Sequence, residues 1–261
     1  LESPPTDNKT RDEETHVKAV VLAAGKGTRM REITDEIPKP MVEVSGRPVL
    51  WHILTALGDA GVQEAAVIVG YKGDVIRDYF GDGREVGVPL EYFVQEVQDG
   101  TGRAAEPARG FLEGGPFFLT FGDILTRAAA YRAMAESFSS EPTDLLLAVR
   151  HVDDPHRFGV VELEGDHVRN IVEKPAPGTA PSDLVNAGIL IASPVLFEYT
   201  ARLEPSERGE YELPDAFRMM IDDGLSVRAL DIRSYWRDIG TPEDLEAAGG
   251  EVEGREDILG S

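Results

Sequence analysis

The sequence predicts an α/β protein built on a doubly wound, mostly parallel sheet. Three observations carry that expectation. Short apolar runs rich in β-branched residues alternate with amphipathic stretches through the first half of the chain. The first run leads straight into a glycine-containing loop, as strands do where they present a ligand site. The pattern then changes to strand, tight turn, strand, which marks an antiparallel part.

The elements follow in order. Residues 1–16 are charged and contain proline, and read as a tail. Residues 18–24 (KAVVLAA) read as a buried strand. Glu43-Val44-Ser45-Gly46-Arg47 reads as a turn, and Pro48 opens a helix to about Ala60 with Val49, Ile53, Leu54 and Leu57 on one face; Gly61 stops it. Strands are expected at 65–69, 90–94 and 117–121, with helices at 74–80 and 127–138. A helix is also expected over 101–112, bent or broken by Pro107. After a strand at 145–149, residues 158–163 and 167–172 form a hairpin around Glu164-Gly165-Asp166. A strand at 184–191, helices at 194–203 and 211–223, a strand at 227–232 and a helix from Pro242 to Ala248 complete the reading. Residues 250–261 read as an acidic tail. The expected organisation is one domain over 17–249, with two halves near 17–143 and 144–249.

Composition narrows the function. There are 48 acidic and 26 basic residues, a formal net charge of −22, and such a surface repels nucleic acid and anionic membranes. The same surplus is read either as adaptation to high salt, where screening makes it tolerable, or as the acidic proteome of a high-GC genome. No run approaches the roughly 18 apolar residues of a membrane span. The first residues lack an apolar signal core, so the expected location is cytoplasmic. Cysteine is absent, and the five histidines lack the spacing of a zinc site.

The chemistry is concentrated in residues 18–40. Gly25, Lys26, Gly27, Thr28 and Arg29 follow the first strand, and Lys39 stands between Pro38 and Pro40. Glycines let backbone N–H groups approach a phosphate, cations offset its charge, and the prolines stiffen the segment that presents Lys39. The string is not a P-loop, and Met30 replaces the third glycine of the dinucleotide fingerprint. Gly-x-Gly by itself would equally serve an ordinary strand-to-helix turn.

Together with Pro38-Lys39-Pro40, the string resembles the signature of the sugar-1-phosphate nucleotidyltransferases, the nucleotide-sugar pyrophosphorylases. The resemblance can be followed from about Val17 to Gly249, and it implies a Rossmann-like fold with an antiparallel sugar-binding insertion. No repeat of the C-terminal β-helix found in longer members is present. The implied reaction joins a nucleoside triphosphate to a hexose 1-phosphate with Mg²⁺ and releases pyrophosphate. A non-catalytic homologue that binds nucleotide sugars is the alternative. The resemblance implies nucleotide contacts at Ala23, Ala24, Gly25, Lys26, Gly27, Thr28, Gln95, Gly100 and Thr101, where Gln95 reads the base and Gly100 leaves room for its ring. It implies catalytic cations at Arg29, Lys39 and Lys174. Sugar-phosphate contacts are implied at Gly159, Glu173, Lys174, Asn186 and Trp236.

Asp123 and Asp238 are the implied metal ligands. Each has a second reading: Asp123 as a helix cap, Asp238 as a partner of Arg237. Glu173-Lys174 would equally be a solvent-facing ion couple, Asn186 a buried structural amide, and Gln95 an exposed loop amide. The base stays open among cytosine, uracil, thymine and guanine, and assembly into homo-oligomers is usual in the family.

Overall fold

A computed structural model describes residues 17–27, 30 and 34–252 of the chain. The elements in order are β1 (Lys18–Ala23), β2 (Glu43–Val44), β3 (Arg47–Pro48), α1 (Val49–Asp59), β4 (Ala65–Val69), α2 (Gly73–Phe80), β5 (Leu90–Val94), β6 (Phe117–Phe121), β7 (Ile124–Thr126), α3 (Ala128–Ser140) and β8 (Leu145–His151). They continue with β9 (Gly159–Glu164), β10 (His167–Glu173), β11 (Leu184–Ala192), α4 (Leu196–Thr200), α5 (Leu213–Asp222), β12 (Val227–Asp231), β13 (Trp236–Asp238) and α6 (Pro242–Val252). The expected tails, 1–16 and most of 250–261, lie outside the described residues; α6 itself runs on to Val252.

One nine-stranded sheet has the order β5-β4-β1-β6-β11-β8-β12-β10-β9. Its first four strands are parallel, as the alternation of strands and helices requires. Strand β11 returns antiparallel between β6 and β8, β12 is parallel to β8, and the β9–β10 hairpin closes that edge. The α/β class and the antiparallel addition agree with the sequence reading.

Both faces of the sheet are covered, which is why its strands read as continuous apolar runs. Ala19, Val21 and Ala23 pack on one side with Leu50, Ile53 and Leu57 of α1 and Tyr131 and Met134 of α3. Val20 faces the other way, toward Phe197 of α4 and Phe217 and Met220 of α5. Phe117 stacks on Phe197 with ring centroids 5.4 Å apart. Each such buried Val, Leu, Ile, Phe or Met side chain contributes roughly 1.5–3 kcal/mol.

Three expectations need correction. Residues 101–112 do not form a helix; only the short 3-10 turn Glu106–Ala108 does. Pro107 supplies no N–H, and the Gly102 N–H donates to the Tyr211 carbonyl at 2.8 Å instead of to its own segment. The helices expected at 194–203 and 211–223 shorten to α4 and α5; α5 starts only at Leu213, because Tyr211 is drawn into a parallel bridge with Gly100. The turn expected at 43–47 carries the two short strands β2 and β3. No helix among the described residues is long and apolar enough to cross a membrane.

Candidate functional site

Two cavities open where β1, β5 and β6 end. The larger, about 620 Å³, is lined by Ala24, Gly25, Lys26 and Gly27 on one side and by Gln95, Gln98, Gly100, Thr101 and Ala104 on the other. The smaller, about 220 Å³, is lined by Phe158, Gly159, Glu173, Lys174, Asn186, Trp236 and Asp238 among others. Thr101, Phe121, Asp123 and Glu210 line both, so the two share a wall.

The structure thus brings most of the expected residues together. Ala23 and Lys39 line neither cavity: the Ala23 side chain turns into the core, and Leu22 and Ala24 face the cavity in its place. Thr28 and Arg29 lie outside the described residues. Gly27 has φ +63°, and a Cβ there would meet the Lys39 Cβ at 2.9 Å and Thr34 Cγ2 at 3.0 Å. Glycine is therefore what lets the Lys39 stem pass beneath the loop. Pro38 and Pro40 are buried on either side, and the Lys39 ammonium is ion-paired with the Asp123 carboxylate.

Gln95 is a buried amide, not a loose loop side chain; its Nε2 donates to the Gly100 carbonyl at 3.2 Å. Gly100 is required by the fold itself. Its φ is +122°, and a Cβ would fall 2.3 Å from the Tyr211 carbonyl oxygen. Thr101 Oγ1 accepts the first N–H of α5, from Leu213, at 3.2 Å.

Strands β7 and β13 form a small antiparallel ladder that the sequence reading lacked. Asp238 pairs with Ile124, and the Ile239 N–H donates to the Asp123 carbonyl at 2.9 Å. The ladder brings both aspartates to one end of the sheet, and both line the smaller cavity. No cluster of three or more potential metal ligands occurs among the described residues. Mg²⁺ takes one or two carboxylates and completes its shell with phosphate oxygens and water, so an aspartate pair facing a phosphate-sized cavity fits it.

Lys174 has φ +43°, an uncommon and strained backbone for a lysine, and its N–H is fixed to the Phe158 carbonyl at 3.0 Å. Its ammonium lies 3.2 Å from Glu173. A Cβ on Gly159 would come within 3.1 Å of Glu173 Oε2, so glycine leaves that carboxylate its place. Asn186 spends its Oδ1 on the Gly188 N–H at 3.0 Å, within a bulge of β11. Trp236 donates Nε1 to the Ala187 carbonyl at 2.8 Å and packs against Phe158, with ring centroids 5.8 Å apart.

Sequence reasoning missed four charged residues of the smaller cavity: Arg157, Arg208, Glu210 and Glu212. They stand in polar loops with no pattern that separates them from a solvated surface. Arg157 donates to Asp244 at 2.8 Å, a bond that raises its pKa above the ordinary guanidinium value. Asp244 also accepts from the Thr241 hydroxyl and the Gly240 N–H, closing a reciprocal cap on α6. Burial alone would push the Asp244 carboxyl up; the bonds from Arg157 and Thr241 outweigh it and hold it below its usual value. Burial pushes the Glu212 carboxyl up, and Arg208 only partly offsets this.

Known proteins resemble this chain over most of its length. The profile of the nucleotidyl transferase family matches residues 18–254. The chain belongs to that family. It is 37% identical over 231 residues to the bifunctional protein GlmU of Methanococcus maripaludis, covering 88% of this chain. The chain spans 53% of the length of that relative. It is 36% identical to AglF of Haloferax volcanii, named as a UTP–glucose-1-phosphate uridylyltransferase, covering 89% of this chain and 95% of AglF. Among solved structures, a Bacillus anthracis protein described as a glucose-1-phosphate thymidylyltransferase, bound to sucrose, superposes with a TM-score of 0.82. It is 28% identical and covers 91% of this chain and 96% of its own.

Proposed function

We propose that this nucleotidyl transferase condenses a nucleoside triphosphate with a hexose 1-phosphate, giving an NDP-hexose and pyrophosphate. The observation that carries the reading is the pair of cavities with a common wall at Asp123, one reached by the glycine-rich loop and the other by Lys174. A nucleotide seated in the first and a sugar phosphate in the second would meet at that wall. The sugar-phosphate oxygen attacks the α-phosphorus, a new P–O bond forms, and the bond to pyrophosphate breaks.

The nucleophile is already ionised near neutral pH, by analogy with phosphoesters whose second pKa is about 6. The site therefore needs no general base. Its task is to hold two polyanions together and stabilise the charge that develops between them. Lys39 would face the α-phosphate, Lys174 would hold the incoming phosphate, and Arg29 would serve the departing pyrophosphate. Gln95 would read the base edge. Asp123 and Asp238 would hold Mg²⁺, and the bound ion would supply further neutralisation of phosphate charge. Lys39, now paired with Asp123, would then turn toward the nucleotide.

The reading assigns the nucleotide to residues 17–143 and the sugar to 144–249 of one cytoplasmic domain that engages neither nucleic acid nor membrane and can self-associate. The test is pyrophosphate release over a matrix of five triphosphates and several hexose 1-phosphates with Mg²⁺. Turnover in at least one pairing is expected. A purified, folded protein that binds nucleotide sugars but releases no pyrophosphate in any pairing would replace this reading with a binding role.

A further inference from the structure

Glu212 is the residue just before α5, where a short side chain usually caps the helix. Its carboxylate makes no such cap; Thr101 accepts the Leu213 N–H instead. The side chain is only 7% exposed, and it lines the smaller cavity. Its Oε1 accepts from the Ser206 hydroxyl at 3.2 Å and lies 3.6 Å from Arg208 Nε. Its Oε2 has no hydrogen-bond partner among the described residues. The side chain is thus largely covered while its second oxygen opens onto the cavity, where it is placed to accept from whatever binds there.

Arg208 does not complete the neutralisation. The same guanidinium lies 2.8 Å from Glu210 Oε2 and 3.7 Å from Glu173 Oε1. Glu210 and Glu173 line the cavity with Glu212. Three carboxylates share one guanidinium, and Lys174 is the second cation within reach of Glu173. Among the described residues no further cation is paired with Glu210 or Glu212. A hexose suits these acceptors, because its hydroxyl and amino groups are donors. A sugar with its own carboxylate would be repelled.

We propose that Glu212 reads the sugar, accepting a hydrogen bond through Oε2 from a hydroxyl or amino group of the bound hexose. The acidic wall it forms with Glu173 and Glu210 restricts the acceptor to neutral or amino hexose 1-phosphates and rejects hexuronic acid 1-phosphates. This rests on the proposed reaction and narrows its substrate class.

The experiment compares steady-state pyrophosphate release from glucose 1-phosphate, glucosamine 1-phosphate and glucuronic acid 1-phosphate, with the triphosphate the wild type prefers. The wild type, Glu212→Ala and Glu212→Gln are each checked first for a cooperative thermal melt. The wild type should use the first two sugars and discriminate against the third. Glu212→Ala should raise KM for the neutral sugar phosphate about tenfold, the loss of one hydrogen bond, and leave KM for the triphosphate unchanged. Glu212→Gln preserves volume while removing the charge, and should improve glucuronic acid 1-phosphate relative to glucose 1-phosphate. A residue that only braces the fold would move both KM values or neither. Wild-type use of glucuronic acid 1-phosphate on a par with glucose 1-phosphate overturns the proposal, as does an unchanged sugar KM in Glu212→Ala. Either result leaves the nucleotidyl transfer intact. Absence of turnover with every sugar phosphate would fall on the reaction itself and remove this proposal with it.

Discussion

Gly100→Ala separates two accounts of one glycine. If the glycine only clears space for a base, the methyl group should weaken triphosphate binding and nothing else. The structure puts it under a stronger constraint. Its φ of +122° is a conformation that side chains rarely tolerate, and a Cβ would meet the Tyr211 oxygen at 2.3 Å and nitrogen at 2.7 Å. Both are backbone atoms, so no flexible chain end can step aside. The contact is a fastening: Tyr211 N–H donates to Asp99 at 2.7 Å and Gly102 N–H to Tyr211 at 2.8 Å. It ties the wall of the larger cavity to the segment carrying Arg208, Glu210 and Glu212. Backbone strain of about 1–3 kcal/mol and two lost hydrogen bonds at about 1 kcal/mol each sum to roughly 4 kcal/mol. For a chain of this size that is a fall in Tm on the order of 10 °C. A thermal melt and both KM values form the assay, and KM should rise for triphosphate and sugar phosphate alike. An unchanged Tm with a rise confined to the triphosphate would refute the fastening.

Lys174→Ala should cost about 3 kcal/mol in the barrier, as other preorganised donors do, lowering turnover and sugar-phosphate binding together. Its side chain is 43% exposed, so Tm should barely move, and normal kinetics would remove Lys174 from the site. Arg228 donates to Asp166 at 2.8 Å and reaches Glu141 at 3.0 Å, joining the β9–β10 turn to the end of α3. Both acidic partners can rehydrate, so Arg228→Ala should destabilise by about 1–2 kcal/mol in chemical denaturation with kcat unaffected; full stability would show that this junction is idle. Asp244 has a folded pKa below its unfolded value, so its contribution is present above about pH 4 and is lost as pH falls through the folded value. Asp244→Asn should therefore lower stability at neutral pH and flatten the acid limb of the stability curve; parallel limbs in the two proteins would contradict the linkage.

The sheet was legible where burial on two faces writes an unbroken apolar run, as in Ala65–Val69, whose five residues are all buried. The stretch 101–112 misled because its alanines and leucine are buried in a turn-rich segment, held from outside by Tyr211, a contact with no local trace. The β7–β13 ladder is three residues on each side, too short to show a period of two. The glycine-containing loop and the two aspartates could be placed at the cavities because each stands at or next to a strand end in a recognisable string. Arg208 and Glu212 could not, since polar residues beside a loop look alike whether they face open water or a cavity.

The β6–β11 ladder has a mechanical consequence. Four residue pairs, from Ile189–Thr120 to Ala192–Phe117, weld the strands beneath the two cavities into one continuous lattice. Such a frame has no seam at which two lobes could swing. Any closing over substrates must come from the loops at the strand tips, chiefly around residues 95–102 and 205–212. Amide exchange should speed up there while β1, β6 and β11 stay protected.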